Sequence, residues 1–313
     1  MGTATTDDAQ LLNTWLKSMH IGEPQLMDAL ALVPLHADTS PPEFNYLTLS
    51  QAHQTGQAVV SEKPSATVPT LLVVNRAELP ILILDGEEIL GGRQNRVVNT
   101  TLLVPAHSTF ELDVTCVEHG RWHSGLDETF APGETVYPML RQHKAAQVAQ
   151  SLAASSVPHA DQSAVWDQIA TTHQRRATQS STHAMHDVYV ERGEALRRAE
   201  DVLRYPAEEP LGVVAVVSGR ALCADIFDRP TTLHTYWSSL VRSYALEAES
   251  STAAVGPDTD VHAGVRRRRF EAGLPIPRSG PGRAAHCSRH SRRSTRSPPI
   301  GRAHGPLRLQ RTM

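Results

Sequence analysis

Ile81-Leu82-Ile83-Leu84-Asp85-Gly86-Glu87-Glu88-Ile89-Leu90-Gly91-Gly92-Arg93-Gln94-Asn95-Arg96 sets apolar runs against polar ones within a few residues, and its reading decides the fold. A second block of the same kind, Cys116-Val117-Glu118-His119-Gly120-Arg121-Trp122, closes the region. Paired carboxylates, a Gln-Asn-Arg triplet and Glu-His-Gly-Arg-Trp are costly to bring near a core unless they are partnered or bind something. Any binding site is expected within residues 49–122.

Around these blocks the pattern from 46 to 117 is mostly β. Residues 58–61 form a short strand. The runs 70–74 and 81–84 are separated by Asn75-Arg76-Ala77-Glu78, which predicts a hairpin. The run 101–104 ends at Pro105 and is expected to pair with 110–117. In the latter, Phe110, Leu112, Val114 and Cys116 share one face by the period of two, and a continuing strand would put Glu118 at the end of that stripe.

Upstream, 8–20 reads as an amphipathic helix carrying Leu11, Leu12, Trp15, Leu16 and Met19. A strand near 30–35 and a loop at 38–42 follow. From Tyr137 the pattern turns helical. Residues 139–155 are rich in Ala and Gln, which predicts shallow packing, and 158–185 read partly as loop. Asp187 is placed to cap a helix bearing Val188, Ala195, Leu196, Ala199, Val202 and Leu203. Residues 212–227 read as a hairpin turning at Ser218-Gly219. Pro230 opens a helix in which Leu233, Tyr236, Trp237, Leu240, Val241 and Tyr244 make one buried stripe. The expected fold is α+β: a mainly antiparallel β half over about 45–120, packed with C-terminal helices and a late β-hairpin, in one unit over 8–250.

The net charge of −3 conceals two unlike pieces. From 262 to 313 there are 13 arginines and one acid, Glu271. Subtracting these from the 30 basic and 33 acidic residues of the chain leaves 17 and 32 in residues 1–261, a charge of −15 against +12 in the tail. An acidic body argues against nucleic acid as its partner, since phosphate binding needs clustered Lys and Arg. Three cysteines, Cys116, Cys223 and Cys287, make no pairing pattern and fit a reducing compartment. The first residues lack the basic and apolar regions of a signal peptide, and no apolar run reaches membrane-spanning length. A cytoplasmic location is expected.

Residues 251–313 carry Arg266-Arg267-Arg268-Arg269 and many Pro, Ser, Gly and His without hydrophobic periodicity, a composition expected to stay disordered. Three readings of this tail stand: a basic arm for acidic surfaces, a solvated tail, or out-of-frame translation of GC-rich DNA.

Taken singly, the motifs are ambiguous. Asp85-Gly86-Glu87-Glu88 suits cation binding, a ribose diol or general-base work, and equally a polar turn with solvated acids. Gly91-Gly92-Arg93-Gln94-Asn95-Arg96 suits an anionic group or a plain glycine turn; it is neither a P-loop nor GxGxxG. Cys116, His119 and His123 have the spacing of half a zinc site without a second half, so no metal site is assigned. His143, His159, His173, His183 and His186 lie in polar context and read as surface residues.

Taken in order, Gly86-Glu87-Glu88, Gly91, Gln94-Asn95-Arg96, Asn99, Pro105 and the 116–122 block resemble the signature of the ARPP-1 domain, the ADP-ribosylglycohydrolase- and rhodanese-phosphatase-superfamily-associated protein domain. Gly22-Glu23-Pro24-Gln25, Phe227-Asp228-Arg229-Pro230, Trp237 and Ser243-Tyr244-Ala245 resemble it too, over about residues 10–250. His119 stands where the family is expected to carry another polar residue, often Gln, which further weakens a zinc site.

The resemblance implies a setting in ADP-ribose or NAD-derived nucleotide metabolism, with no established activity attached. It implies a nucleotide-like ligand such as ADP-ribose and an ADP-ribosylglycohydrolase as a partner protein. On that basis Glu87 and Glu88 are expected to contact ribose hydroxyls or a divalent cation, with Mg²⁺ as the one cofactor considered. Arg96 and Arg121 would neutralise a diphosphate. Gln94, Asn95 and Asn99 would orient the ligand, and Trp122 would pack against it. Glu118 is the expected general base, its pKa raised by partial burial; Glu87 and Glu88 complete the expected catalytic set. The rivals are a non-catalytic sensor or scaffold partnering an ADP-ribosyl-removing enzyme, and a purely structural role in which the polar blocks satisfy each other through Glu–Arg pairs.

Overall fold

Three antiparallel pairings of long, alternating strands organise the molecule. The computed structural model describes residues 6–39, 44–63, 69–121 and 130–251. The chain opens with α1 (Thr6–Lys17), then β1 (Met19–Ile21), β2 (Gln25–Met27) and β3 (Leu30–Ala37). Met19, expected in the helix, begins β1: Ser18 closes α1 by donating its hydroxyl to the Trp15 carbonyl. β4 (Leu47–Thr48) leads into α2 (Leu49–Gln54), a helix absent from the sequence reading. Its signal is a capping box, in which the Thr48 hydroxyl accepts from the Gln51 amide and the Gln51 side chain accepts from the Thr48 amide.

β5 (Ala58–Glu62), β6 (Thr70–Asn75), β7 (Ile81–Ile83), β8 (Glu87–Gly91), β9 (Arg96–Val98), β10 (Leu102–Val104), β11 (Ser108–Cys116) and β12 (Phe130–Thr135) follow. Six of them form one sheet in the order β12-β8-β9-β11-β6-β5, every neighbour antiparallel. β10, β7 and β4 form a second, with β4 parallel to β7. Two expected pairings are therefore corrected. β6 and β7 are not a hairpin, and β10 pairs with β7 rather than β11. The turn between β6 and β7 carries the chain from one sheet to the other. Asn75 holds that corner: its amide donates to the carbonyls of Leu79, Val104 and Pro105, and its oxygen accepts from Ala77 N. Leu49, Leu71, Val73, Ile81, Ile83, Ile89, Leu112 and Val114 pack between the sheets.

The remainder is α3 (Pro138–Ser155), α4 (Gln162–Arg176), α5 (His186–Glu191), α6 (Gly193–Val202), β13 (Gly212–Val217), β14 (Arg220–Ile226) and α7 (Pro230–Ala248). The late hairpin forms as expected and joins β3, giving the order β1-β3-β13-β14 with β2 beside β3. All six stripe residues of α7 are buried against it. The stretch 158–185 is partly irregular as expected, with α4 in its middle; Asp161 caps α4 and Val165, Ile169 and Thr172 form its buried face. α3 is not shallow, because it buries Arg141 and Lys144 along with Leu140 and Val148. Asp187 does not cap; it lies in the first turn of α5 and accepts from the Ser180 hydroxyl. The fold is α+β, with the β half and the helical half as anticipated. Among the described residues no helix is long and apolar enough to cross a membrane. The tail from 252 lies outside the described residues.

Candidate functional site

The β8–β9 hairpin delivers the first polar block and the end of β11 delivers the second. Gln94, Asn95, Arg96 and Glu118 are all buried, so each must find partners. β11 ends at Cys116, so the strand does not continue to Glu118, which instead makes an isolated bridge to Ala184. Glu118 Oε2 accepts from Asn95 N (3.0 Å) and Arg121 Nη2 (2.7 Å), and its Oε1 from Arg121 Nε (2.8 Å). Arg121 also donates to Gly92 O (2.7 Å) and Asn95 Oδ1 (2.9 Å). Gln94 Nε2 donates to Glu118 O (2.7 Å). Arg96 donates to Glu62 Oε1 (2.9 Å) and to Gln94 O, with its guanidinium over the Phe130 ring.

This geometry reverses the expected pKa of Glu118. Burial opposes its charge, but hydrogen bonds from Arg121, the Asn95 amide and Thr182, with the Arg121 charge, outweigh it and hold the carboxyl below its ordinary value. Both arginines expected to meet a diphosphate are already engaged with Glu62 and Glu118. Asn99 is engaged as well, donating to Pro158 O (2.9 Å) and accepting from Thr115 Oγ1 (2.7 Å). Trp122 and His123 lie outside the described residues. Cys116 is a buried free thiol, and its backbone pairs with the Gln162 amide on both sides. His119 packs on Trp166 (4.3 Å between centroids). Among the described residues no group of three or more His, Cys, Asp or Glu side chains is arranged to hold a metal ion.

Glu87 and Glu88 behave differently. Successive strand residues face opposite sides, and these two part accordingly. Glu87 turns towards α7, accepting from Leu84 N (3.1 Å) and the Tyr236 hydroxyl (3.3 Å). Burial pushes its pKa up to about 7. Glu88 turns towards α5. Its Oε2 accepts from Glu134 N (3.2 Å) and His186 Nδ1 (2.9 Å), while Oε1 is buried with no partner among the described residues. Burial raises the Glu88 pKa; the bond to Glu88 raises that of His186. Gly133 of β12 makes the fit possible, since a Cβ there would stand 2.7 Å from Glu88 Oε2.

His186 was not visible in the sequence as a site residue. It is half-buried rather than a surface residue, and His173, also read as exposed, is buried with Nε2 against Ala184 O (3.0 Å). The segment 180–187 joins the two blocks. It bridges Ala184 to Glu118, gives Thr182 O to Gly120 N (2.7 Å), and Met185 N donates to Val117 O (2.8 Å). A Cβ on Gly120 would meet the Thr182 backbone at 2.9 Å, so only glycine permits this approach.

A second buried polar layer escaped the sequence reading. Arg141 of α3 makes a two-pronged pair with Asp225 of β14 (2.8 and 2.7 Å), and Asp225 also accepts from the Tyr244 hydroxyl. Lys144, one turn on, meets Asp85 and donates to Val98 O (2.9 Å).

The fold and site thus define an α+β protein with a buried carboxylate–histidine pair where two polar blocks converge. The chain belongs to the ARPP-1 family, the ARG and Rhodanese-Phosphatase-superfamily-associated Protein domain, whose model matches residues 18–273. That match runs past the boundary expected near 250, so the start of the Arg-rich segment lies inside the family region. No curated protein and no solved structure matches the chain.

Proposed function

We propose that this protein acts in ADP-ribose or NAD-derived nucleotide metabolism by binding an ADP-ribose-like ligand and hydrolysing a bond in it. The family name, which ties the domain to ADP-ribosylglycohydrolases, supplies the metabolic setting. The observation that carries the reading is Glu88: a fully buried carboxylate with one oxygen on His186 and the other without a partner. Leaving a buried acceptor unmade costs about 1–3 kcal/mol, and such groups concentrate where function requires them. Because Glu88 is fully buried, a ligand would meet the pair through His186, whose side chain stays partly exposed. Gln94, Asn95, Arg96, Asn99 and Arg121 then shape the wall rather than grip the phosphates.

Titration calorimetry of the full chain with ADP-ribose, NAD and ADP, with and without Mg²⁺, tests this. Saturable binding of ADP-ribose, stronger than that of ADP, is expected. A folded protein that gives no heat with any of them would refute the reading. One observation favours a second reading, a sensor or scaffold that partners an ADP-ribosyl-removing enzyme: Arg96 and Arg121 are held by Glu62 and Glu118. That version keeps binding and shows no turnover.

A further inference from the structure

We propose that the bond cleaved is glycosidic rather than phosphoester, and that His186, positioned by Glu88, is the proton-transfer residue. This rests on the ligand-binding reading above. Glu88 is fully buried while the His186 side chain keeps 27% of its surface exposed. What the pair presents to solvent therefore belongs to the imidazole. Nδ1 is engaged with Glu88 Oε2 (2.9 Å), which leaves Nε2 as the ring nitrogen that can exchange a proton with a ligand.

The choice of bond follows from charge. Three acids stand about His186: Glu88 is bonded to it (2.9 Å), Glu134 is bonded to Glu88 through its amide (3.2 Å), and Asp187 is next in the chain, all favouring positive charge there. Arg242, the cation among them, pairs with both Glu134 and Glu200. Such surroundings disfavour a scissile phosphate beside His186 and stabilise the positive charge that develops at an anomeric carbon as its bond to the leaving group stretches. In the step, the charged imidazole gives its Nε2 proton to the leaving atom, and the water that adds returns a proton to Nε2. The carbon–leaving-group bond breaks with its electron pair on the leaving atom, which takes the Nε2 proton, the water oxygen bonds to the anomeric carbon, and the proton that water loses restores Nε2–H. Water is added across one bond and nothing is oxidised or reduced.

The test uses the full chain with ADP-ribosyl-arginine, ADP-ribosyl-serine peptide and free ADP-ribose as probes, products being separated by chromatography. Release of ADP-ribose without AMP is expected from the glycosidic probes. His186→Asn keeps a donor at the Nδ1 position for Glu88 and removes Nε2. It should lower kcat by about 100-fold or more while Kd for ADP-ribose changes less than threefold. His143→Asn, an exposed histidine, is the control. Turnover undiminished in His186→Asn overturns the inference and leaves the ligand reading intact, as does AMP release as the main product. Binding without turnover of any probe overturns it too. Absence of binding to the wild type removes both. A His186→Asn protein that fails to fold is replaced by His186→Gln, judged by the same kcat and Kd criteria, and failure of both to fold makes His186 a packing residue and overturns the assignment.

Discussion

Glu87 allows the sharpest quantitative test of the interior. Its carboxyl is buried on β8 beneath α7, and burial lifts its pKa from 4.5 to about 7. A carboxyl whose folded pKa lies above its unfolded one stabilises the fold when protonated. That contribution is fully present below 4.5 and is lost as the pH rises through about 7. The difference is worth about 3 kcal/mol at 1.36 kcal/mol per unit. Glu87→Gln removes the titration and keeps an oxygen to accept from Leu84 N and the Tyr236 hydroxyl. The variant and the wild type should therefore have similar stability at acid pH, and the variant should gain on the wild type by up to about 3 kcal/mol between pH 4.5 and 8. In thermal melts this is about 6–12 °C at the alkaline end. Glu88 and Glu247, also raised by burial, are present in both proteins and cancel in the difference. Urea unfolding at several pH values measures it directly. A stability difference that stays flat with pH, or that falls for the variant as pH rises, would refute the burial argument.

Four further outcomes follow from the same physics. Arg141→Met leaves Asp225 buried without its guanidinium and should cost about 3–5 kcal/mol by urea unfolding, most of it recovered in Arg141→Met/Asp225→Leu. Arg121→Ala should lower stability by about 2 kcal/mol at neutral pH. Because the folded pKa of Glu118 is depressed, its contribution is present above the ordinary carboxylate value and disappears on acidification through the folded one, so Glu118→Gln should flatten the acid limb of a stability–pH curve. Thr48→Ala removes half the capping box of α2 and should cost about 1 kcal/mol in a thermal melt.

What could be read from the sequence was whatever a short window contains. The α7 stripe, the hairpin at Ser218-Gly219 and the buried face of β11 follow from periodicities of 3.6 and 2, and all three stand. Strand partnership does not lie in a window. β6 and β7 are neighbours in sequence and members of different sheets, and their apolar runs look alike wherever they pair. The one local sign was Asn75, a turn residue able to hold three carbonyls. α4 was hidden by its polar composition, although Asp161 and the 165, 169, 172 spacing mark it. α3 was misjudged for a different reason: Arg141 and Lys144 read as solvent-facing, and only a distant Asp225 and Asp85 make their burial affordable. The same distance hid His186, which reaches Glu88 across 98 positions of chain.

The two polar blocks drew attention because burying them is costly, and the structure divides that cost unevenly. Around Glu118 the described residues expected to meet a ligand are already engaged by the protein: Arg121 and the Asn95 amide close on the carboxylate, Gln94 on the Glu118 carbonyl, Arg96 on Glu62. A network satisfied in this way rigidifies the joint between β9, β11 and the 180–187 segment. It has little left to offer a ligand unless a partner is displaced, and displacing one exposes a buried charge. Glu88 is the opposite case. It sits on the same hairpin, is just as buried, and keeps one oxygen unmet while its other holds a histidine that reaches solvent. If evolution had needed only a stable corner there, an apolar residue of similar size would have served as well or better. On the proposed reading the satisfied network holds still a pair that is not satisfied, and chemistry is to be sought at Glu88 and His186, with Glu118 as its support.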